Sequence, residues 1–358
     1  MANRPLVSVV TPFYNTASYL AECIESVLGQ SYPAFEYILA DNCSTDGSSE
    51  IAEGYARRDS RIRLIRFPEF VSQLKNYNRA LAEISDVSKY CKIVQADDFI
   101  FRECLELMVQ TFEQSETIGL VSAYRLLGKM VDGSGYPYRT PMLPGIECAR
   151  WYLRTGIYIF GSQTTVMYRS SLVRDHNPFY DESLPYADFK KCMEILEHWD
   201  FGFIHQVLSF SRPDIDSIPS ATSARLRFQP FALDRYVIVQ QYAPVFLEAA
   251  EAAAVRRKSK RVYYRILAEE ALHHREPAFW RYHEIGLKAL NETLDWPYLV
   301  LQLVLALLWL ASNPGWTSVR MLRFCKRRMR TKDQSEDQGQ LLKGQVPSWA
   351  VRIWTAEI

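Results

Sequence analysis

The chain has few of the features that announce a function at once. Its seven cysteines are scattered through 358 residues, with no Cys-x-x-Cys pair and no His-Cys group at zinc spacing. Neither a disulfide framework nor a structural zinc site is therefore indicated, and the thiols read as reduced and mostly buried in a cytoplasmic protein. Net charge is only +1, which excludes a global electrostatic footprint for nucleic acid and leaves any charged partner to be read locally. Residues 1–5 lack the basic region and apolar run of a secretory leader. No apolar run reaches the ~20 residues that a spanning helix needs; the longest, 296–311, also contains Gln302. What remains is ordinary globular material, 48% hydrophobic and 23% charged, enough for one large domain or two.

Taken in order, the first half alternates. Leu6–Thr11 is a β-rich run stopped by Pro12, and residues 17–30 place Leu20, Cys23, Ile24, Val27 and Leu28 at helical spacing. Ser31-Tyr32-Pro33 breaks that helix. A second strand, 35–40, ends on Asp41, and the polar turn Asn42–Ser48 leads into a helix over about 48–58. A strand at 61–67, a helix at 72–84 and a strand at 91–95 follow, then a helix at 103–114 and a strand at 118–123. This β-α alternation predicts a mostly parallel, Rossmann-like sheet with helices on its faces. Residues 132–145 form a long Gly- and Pro-containing loop, of a length that is usually functional or disordered. A short helix at 146–155, a strand at 164–168, a helix from Asp188 to Trp199 and a strand at 203–210 complete the region.

Two adjacent carboxylates, Asp97 and Asp98, stand where a buried strand ends. Each raises the other's pKa unless something positive binds. A divalent cation with hard oxygen ligands, Mg²⁺ or Mn²⁺, resolves the repulsion, and ligands of open α/β sheets sit beyond the carboxyl ends of the strands. The bland alternative makes Asp97 the cap of a helix beginning near Arg102. Asp188 likewise reads as an N-cap on residue type alone. Gly161-Ser162 is either a plain turn or part of a cleft, and His205, mid-strand, reads as a core or edge histidine.

A polar hinge with two prolines, 211–224, separates a C-terminal region rich in Ala, Leu, Glu and Arg. Residues 229–254 and 258–292 read as helices, the second interrupted by Pro277. The divisions expected are 1–215, a helical extension at 216–295, an apolar plus basic segment at 296–332 and a partly disordered tail at 333–358. In 317–332, Arg320, Arg323, Arg327 and Arg330 share one helical face and Met321, Cys325 and Met329 the other, without any acid. Two readings stand: an interfacial anchor facing anionic lipid, or a buried apolar helix followed by a solvated basic one. The first would hold the protein at the inner face of the membrane.

The stretch VSVVTPFYNTASYLAECIESVLGQSYPAFEYILADNCSTDGS (7–48) resembles the family 2 glycosyltransferases, inverting enzymes of the GT-A fold. The resemblance runs from about Leu6 to about Arg212. It implies that Pro12 and Tyr14 hold the nucleotide, the tyrosine ring stacking on the base, and that Asp41 accepts the base N–H. It implies that Asp97 and Asp98 hold ribose and the cation that bridges the donor's phosphates. Gln95 stands where the family's first acid is usual; it keeps a ribose hydrogen bond but is a poorer metal ligand. Tyr77-Asn78 replaces an Arg-Asn pair, which puts Asn78 in the nucleotide-sugar-binding set, with Lys75 and Arg79 close by as phosphate partners. Ala187-Asp188 keeps the second acid of the late Glu-Asp motif, which in the family is the general base. Arg212 is followed by Pro213-Asp214 rather than by the histidine of some relatives, so Asp214 would have to replace that ligand.

The implied activity is transfer of a sugar from a nucleotide-diphosphate donor to a hydroxyl of a glycan or lipid-linked acceptor, in cell-surface polysaccharide or lipid-linked glycan synthesis. The implied cofactor is Mn²⁺ or Mg²⁺. Gln95 and Ala187 keep a competing reading open, a non-catalytic nucleotide-sugar-binding or scaffold protein on the same fold. A nucleotidyltransferase would need a Gly-rich basic loop near the first strand, and TPFYNTAS offers none.

Overall fold

A computed structural model describes residues 4–138, 140–182, 184, 186–212, 228–272 and 276–313. The described chain forms two compact units. The first runs to Pro230 and includes Pro244–Glu248; the second holds Phe231–Ala243 and the residues from Ala249 onward. The hinge at 213–227, with Asp214, the basic segment 317–332 and the tail 333–358 lie outside the described residues.

The first unit is built on a ten-stranded sheet. Strands β1 (Val7–Phe13), β2 (Phe35–Asp41), β3 (Ile62–Arg66) and β4 (Tyr90–Ile93) alternate with helices α1 (Ala17–Leu28), α2 (Ser48–Ala56) and α3 (Gln73–Leu81). They pair in parallel, as the alternation predicts. Next come β5 (Phe99–Ile100), α4 (Cys104–Phe112), β6 (Ile118–Leu127), β7 (Met130–Asp132), β8 (Met142–Leu143) and α5 (Gly145–Thr155). The unit closes with β9 (Met167–Arg169), α6 (Ser170–Arg174), α7 (Ala187–Leu196) and β10 (Asp200–Ser211). The strand order is β3-β2-β1-β4-β9-β6-β10-β5, with β7 on β6 and β8 on β10.

Burial explains why the parallel strands read so clearly. All seven residues of β1 are buried, and Val7, Val9, Tyr37, Leu39 and Tyr90 pack with Leu20, Ile24 and Val27 of α1 in one core. Strands covered on both faces become near-continuous apolar runs.

Three local details correct or add to the expectations. Pro12 does not stop the first strand, because β1 pairs with β4 only as far as Val10 while its pairing with β2 continues to Phe13. A residue without an N–H is tolerated where one neighbour has already dropped away. Second, β9 is antiparallel to both β4 and β6, so it splits the parallel set. Third, the 132–145 loop contributes β8, which pairs with β10.

The second unit is helical: α8 (Pro230–Phe246, its ends shared with the first unit), α9 (Ala249–Ala271), α10 (Pro277–Leu287) and α11 (Trp296–Ser312). Pro277 opens α10 at its first turn, where a missing N–H costs nothing. Tyr236 stacks on Tyr263 at 4.5 Å, and the Tyr263 hydroxyl meets His283 Nδ1 at 2.8 Å. Asp295 caps α11 by accepting from the Tyr298 N–H at 3.0 Å.

Candidate active site

Two turns at the carboxyl edge of the sheet are tied to each other. Asp46 accepts from the Ala17 N–H at 2.9 Å and from the Ser48 N–H at 3.0 Å. Ser48 Oγ accepts from Thr16 N–H, and Asn15 Oδ1 accepts from Thr45 N–H, both at 2.8 Å. Asn15 sits in the left-handed region, φ 50°, where an asparagine is tolerated better than most residues. This lattice explains the spacing of the TPFYN and DNCSTDGS motifs: the second is the clamp for the first. It sets Tyr14 beside the end of β2, where Asp41 is buried and accepts from Ser44 N–H at 2.9 Å. Tyr14 is 43% exposed and its ring lies 4.7 Å from that of Phe70, itself exposed. Nothing in the sequence pattern singled out Phe70.

The two adjacent acids have different surroundings. Asp98 is buried: its Oδ2 accepts from Thr164 Oγ1 at 2.6 Å and Ser211 Oγ at 3.0 Å, and its Oδ1 accepts from Arg212 N–H at 3.1 Å. Burial first, and the neighbouring Asp97 charge second, push its pKa up to about 6. Asp97 is half-buried. Asp97 does not cap the following helix, since β5 intervenes and α4 begins after Glu103.

Thr164 is the hinge pin of this corner. Besides donating to Asp98, its hydroxyl accepts from Gln95 N–H at 3.0 Å. Its carbonyl accepts from Lys92 Nζ, which also donates to Val166 O at 3.2 Å. Lys92 is fully buried, and burial draws its pKa down to about 8. Gly161 turns the chain toward Thr164 at φ 74°, and a Cβ there would meet Thr165 Oγ1 at 2.5 Å. Ser162 Oγ lies 3.4 Å from Ser211 Oγ, so the Gly161-Ser162 turn borders the acid site. Sequence reasoning missed Thr164, Ser211 and Lys92. Of the three, a lysine inside the apolar run YCKIV was the legible signal.

Helix α3 carries residues that the charges of Asp41, Asp97 and Asp98 reach. Its Arg79 feels the charge of Asp41 and lies over the Phe67 ring at 3.7 Å. The Tyr77 hydroxyl meets the Gln95 side chain, and burial together with the Asp97 charge raises its pKa. Asn78 uses its whole amide on protein: Oδ1 accepts from Tyr180 N–H at 2.8 Å, and Nδ2 donates to Tyr180 O at 2.8 Å and Glu182 at 3.0 Å. It acts as a clamp on the segment leading to α7. Lys75 lines a cleft of about 850 Å³ with Arg79, Ala187, Lys190 and Glu194, bounded by α3 and α7.

Asp188 is the second residue of α7, with Tyr186 at the cap position, so it is not an N-cap. Its Oδ1 accepts from the Phe189 N–H at 2.8 Å. A carboxylate in a helix's first turn is favoured by the helix dipole. After burial, its charge is the largest influence on the Tyr158 hydroxyl and also acts on Tyr180. Tyr180 meets Tyr77 edge-on at 6.5 Å. The charges of Asp97 and Asp98 thus act on one ring of that pair and the charge of Asp188 on the other. Arg125 joins the same region: it acts on Tyr158, is paired with Asp132 at 2.7 Å, and reaches Ser211 Oγ at 3.5 Å.

His205 is a sheet-edge histidine, its Nδ1 3.0 Å from the Tyr124 hydroxyl. Among the described residues there is no group of three His, Cys, Asp or Glu side chains placed to hold a metal. Two carboxylates alone still fit a Mg²⁺ or Mn²⁺ that keeps water and substrate phosphates as its other ligands. The raised pKa of Asp98 marks a corner that a cation would relieve.

Residues 8–176 match the family described as Glycosyl transferase family 2. The chain is 34% identical over 137 residues to glycosyltransferase GlyG of Streptococcus pneumoniae serotype 4, covering 38% of this chain and 44% of that protein. It is 32% identical over 126 residues to TuaG of Bacillus subtilis (strain 168), which carries the name of a teichuronic acid biosynthesis glycosyltransferase, covering 35% and 49%. The chain thus spans about half the length of the curated relatives it matches. Among solved structures, S. aureus TarS 1-349 in complex with UDP-GlcNAc superposes with a TM-score of 0.51 at 19% identity, over 72% of each chain. The mannosyltransferase PcManGT of Pyrobaculum calidifontis, in complex with GDP-Man and Mn²⁺, superposes with 0.51 at 15% identity, over 94% of this chain and 89% of that one. These likenesses establish the fold, a GT-A α/β architecture with a helical C-terminal region.

Proposed function

We propose, from the match of residues 8–176 to the family described as Glycosyl transferase family 2, that the chain transfers a sugar, with inversion, from a nucleotide-diphosphate donor to a hydroxyl acceptor. The observation that supports the reading is that the charges of Asp97 and Asp98 reach Tyr77 while that of Asp188 reaches Tyr180, two rings 6.5 Å apart. In the proposed reaction Asp188 takes the proton of the acceptor hydroxyl, whose oxygen bonds to the anomeric carbon. The bond from that carbon to the donor's phosphate oxygen breaks on the opposite face, and its electron pair leaves with the nucleoside diphosphate. Mn²⁺ or Mg²⁺, held by Asp97 and Asp98, would neutralise the leaving diphosphate. Tyr14 stacks on the base, Pro12 and Asp41 border it, and Gln95 and Asp97 face the ribose. Lys75 lies on the phosphate side.

Support for a divalent cation comes from the paired acids and from the Mn²⁺ named with the Pyrobaculum enzyme of the same fold. The acceptor proposed is a glycan or lipid-linked precursor of a surface polysaccharide, in line with the name that TuaG carries. The reaction is proposed for the cytoplasmic side of the membrane. The domain limits proposed are 1–215 for transfer and 216–295 for the helical extension.

The test is turnover of a panel of nucleotide sugars with Mn²⁺ present, in the full chain and in Asp188→Asn. The variant is expected to lose about 10²–10⁴-fold in turnover while binding nucleotide as before by calorimetry. Full activity in Asp188→Asn would remove the base assignment. Nucleotide binding with no turnover in the unaltered chain would favour a non-catalytic protein.

A further inference from the structure

Helix α11 has its polarity reversed. Its inward face, packed on α9, carries Leu299 and the buried amide of Gln302. Its outward face carries Val300, Leu301, Val304, Leu305, Leu308 and Trp309, each between 42% and 61% exposed. No charged residue occurs anywhere from Trp296 to Ser312. A solvated helix normally turns its polar side outward, and a row of half-exposed aliphatic side chains this long marks an interaction surface.

The kind of partner follows from length and charge. At ~1.5 Å per residue the helix is about 25 Å long, short of the ~30 Å hydrocarbon core. No described helix is long and apolar enough to cross a membrane. Residues 314–332 carry seven Lys and Arg and no acid. A second copy of this chain would bring its own seven cations to the same interface, where like charges repel. An anionic surface attracts them. Trp296 and Trp309 stand near the two ends of the helix, and tryptophan favours the level of the headgroups.

We propose that α11 docks this chain on an anionic phospholipid bilayer, its outward apolar face immersed along the membrane plane, the excess of cations in the sequence that follows it favouring an anionic surface over a neutral one. The inference stands apart from the transfer reaction: it concerns the second unit, and its failure would leave the role of Asp188 untouched.

The test is flotation of the full chain with vesicles of phosphatidylcholine alone and of phosphatidylcholine mixed with phosphatidylglycerol. Binding is expected with the mixed vesicles, falling as salt is raised. Replacing Arg320, Arg323, Arg327 and Arg330 by Gln is expected to weaken it by about 10²–10³-fold. Leu301→Gln, Leu305→Gln and Leu308→Gln together should abolish it while leaving helical circular dichroism and nucleotide binding unchanged. Three outcomes would overturn the proposal: no binding to the mixed vesicles, equal binding by the arginine variant, or a dimer in sedimentation that the leucine variant dissociates while vesicles go unbound.

Discussion

Replacing Asp98 by Asn should make the metal-free protein more stable at neutral pH, although it alters a proposed functional residue. Asp98 is ionised only at a cost, because burial and the Asp97 charge lift its pKa from the ordinary 3.8 to about 6. Between those values the folded chain holds a proton that the unfolded chain has released. Stability therefore falls as pH rises through the window, and the full cost is present above about pH 6. A shift of roughly two units corresponds to about 3 kcal/mol at 25 °C. The amide introduced by Asp98→Asn would keep the oxygen that accepts from Arg212 N–H, and the hydroxyls of Thr164 and Ser211 can rotate to accept from its NH₂. Hydrogen-exchange protection of the β4 and β10 amides in chelator reports this region without requiring the whole chain to unfold in one step. At pH 4 the two proteins should be nearly equal. At pH 7.5 the variant should be more protected by up to about 3 kcal/mol, and added Mn²⁺ should close the gap by stabilising only the unaltered protein. Equal protection at both pH values, or a variant weaker at pH 7.5, would refute the reasoning.

Two further outcomes follow from the geometry. Tyr14→Ala removes the exposed ring beside Phe70; nucleotide affinity by calorimetry should fall about 10–100-fold, the worth of one base–aromatic stack, with the thermal midpoint nearly unchanged. Gly145→Ala places a Cβ 2.0 Å from Trp199 O and 2.5 Å from Leu196 O. Both are backbone atoms that cannot swing aside, so a loss of about 1–3 kcal/mol or more is expected in thermal unfolding.

How much of this was legible depends on the range of the interactions involved. The parallel β-α alternation from β1 to β4 shows in the sequence because each strand is buried on both faces and each helix carries an apolar stripe. The polar turn 42–48 shows in its composition, but its bonds across to Asn15, Thr16 and Ala17 do not. What sequence could not reveal is non-local. The segment Met167–Arg169 has no pattern of its own that distinguishes an antiparallel insertion between β4 and β6. Asp97 and Asp98 look alike on paper, and only Thr164, Ser211 and Arg212, distant in the chain, separate the buried acid from the half-buried one. Asn78 was read as a ligand contact because its partner, the Tyr180 backbone, lies 102 residues away. The apolar character of α11 was plain, but which of its faces is outward required the packing on α9.

The departure at Gln95 makes physical sense once Thr164 is in view. The hydroxyl of Thr164 has one proton to donate. Asp98 Oδ2 lies 2.6 Å from that oxygen and Gln95 Oε1 lies 3.5 Å from it, so the proton goes to the carboxylate. A third acid at position 95 would set another negative charge against the same hydroxyl and against a carboxylate already near pKa 6. It would drive Asp98 further toward its neutral form, which is a poor cation ligand. A neutral amide avoids that cost and still meets the hydroxyl of Tyr77. The substitution therefore keeps the remaining pair of acids ionisable, while Lys92 donates to the Thr164 carbonyl and fixes the residue that serves them.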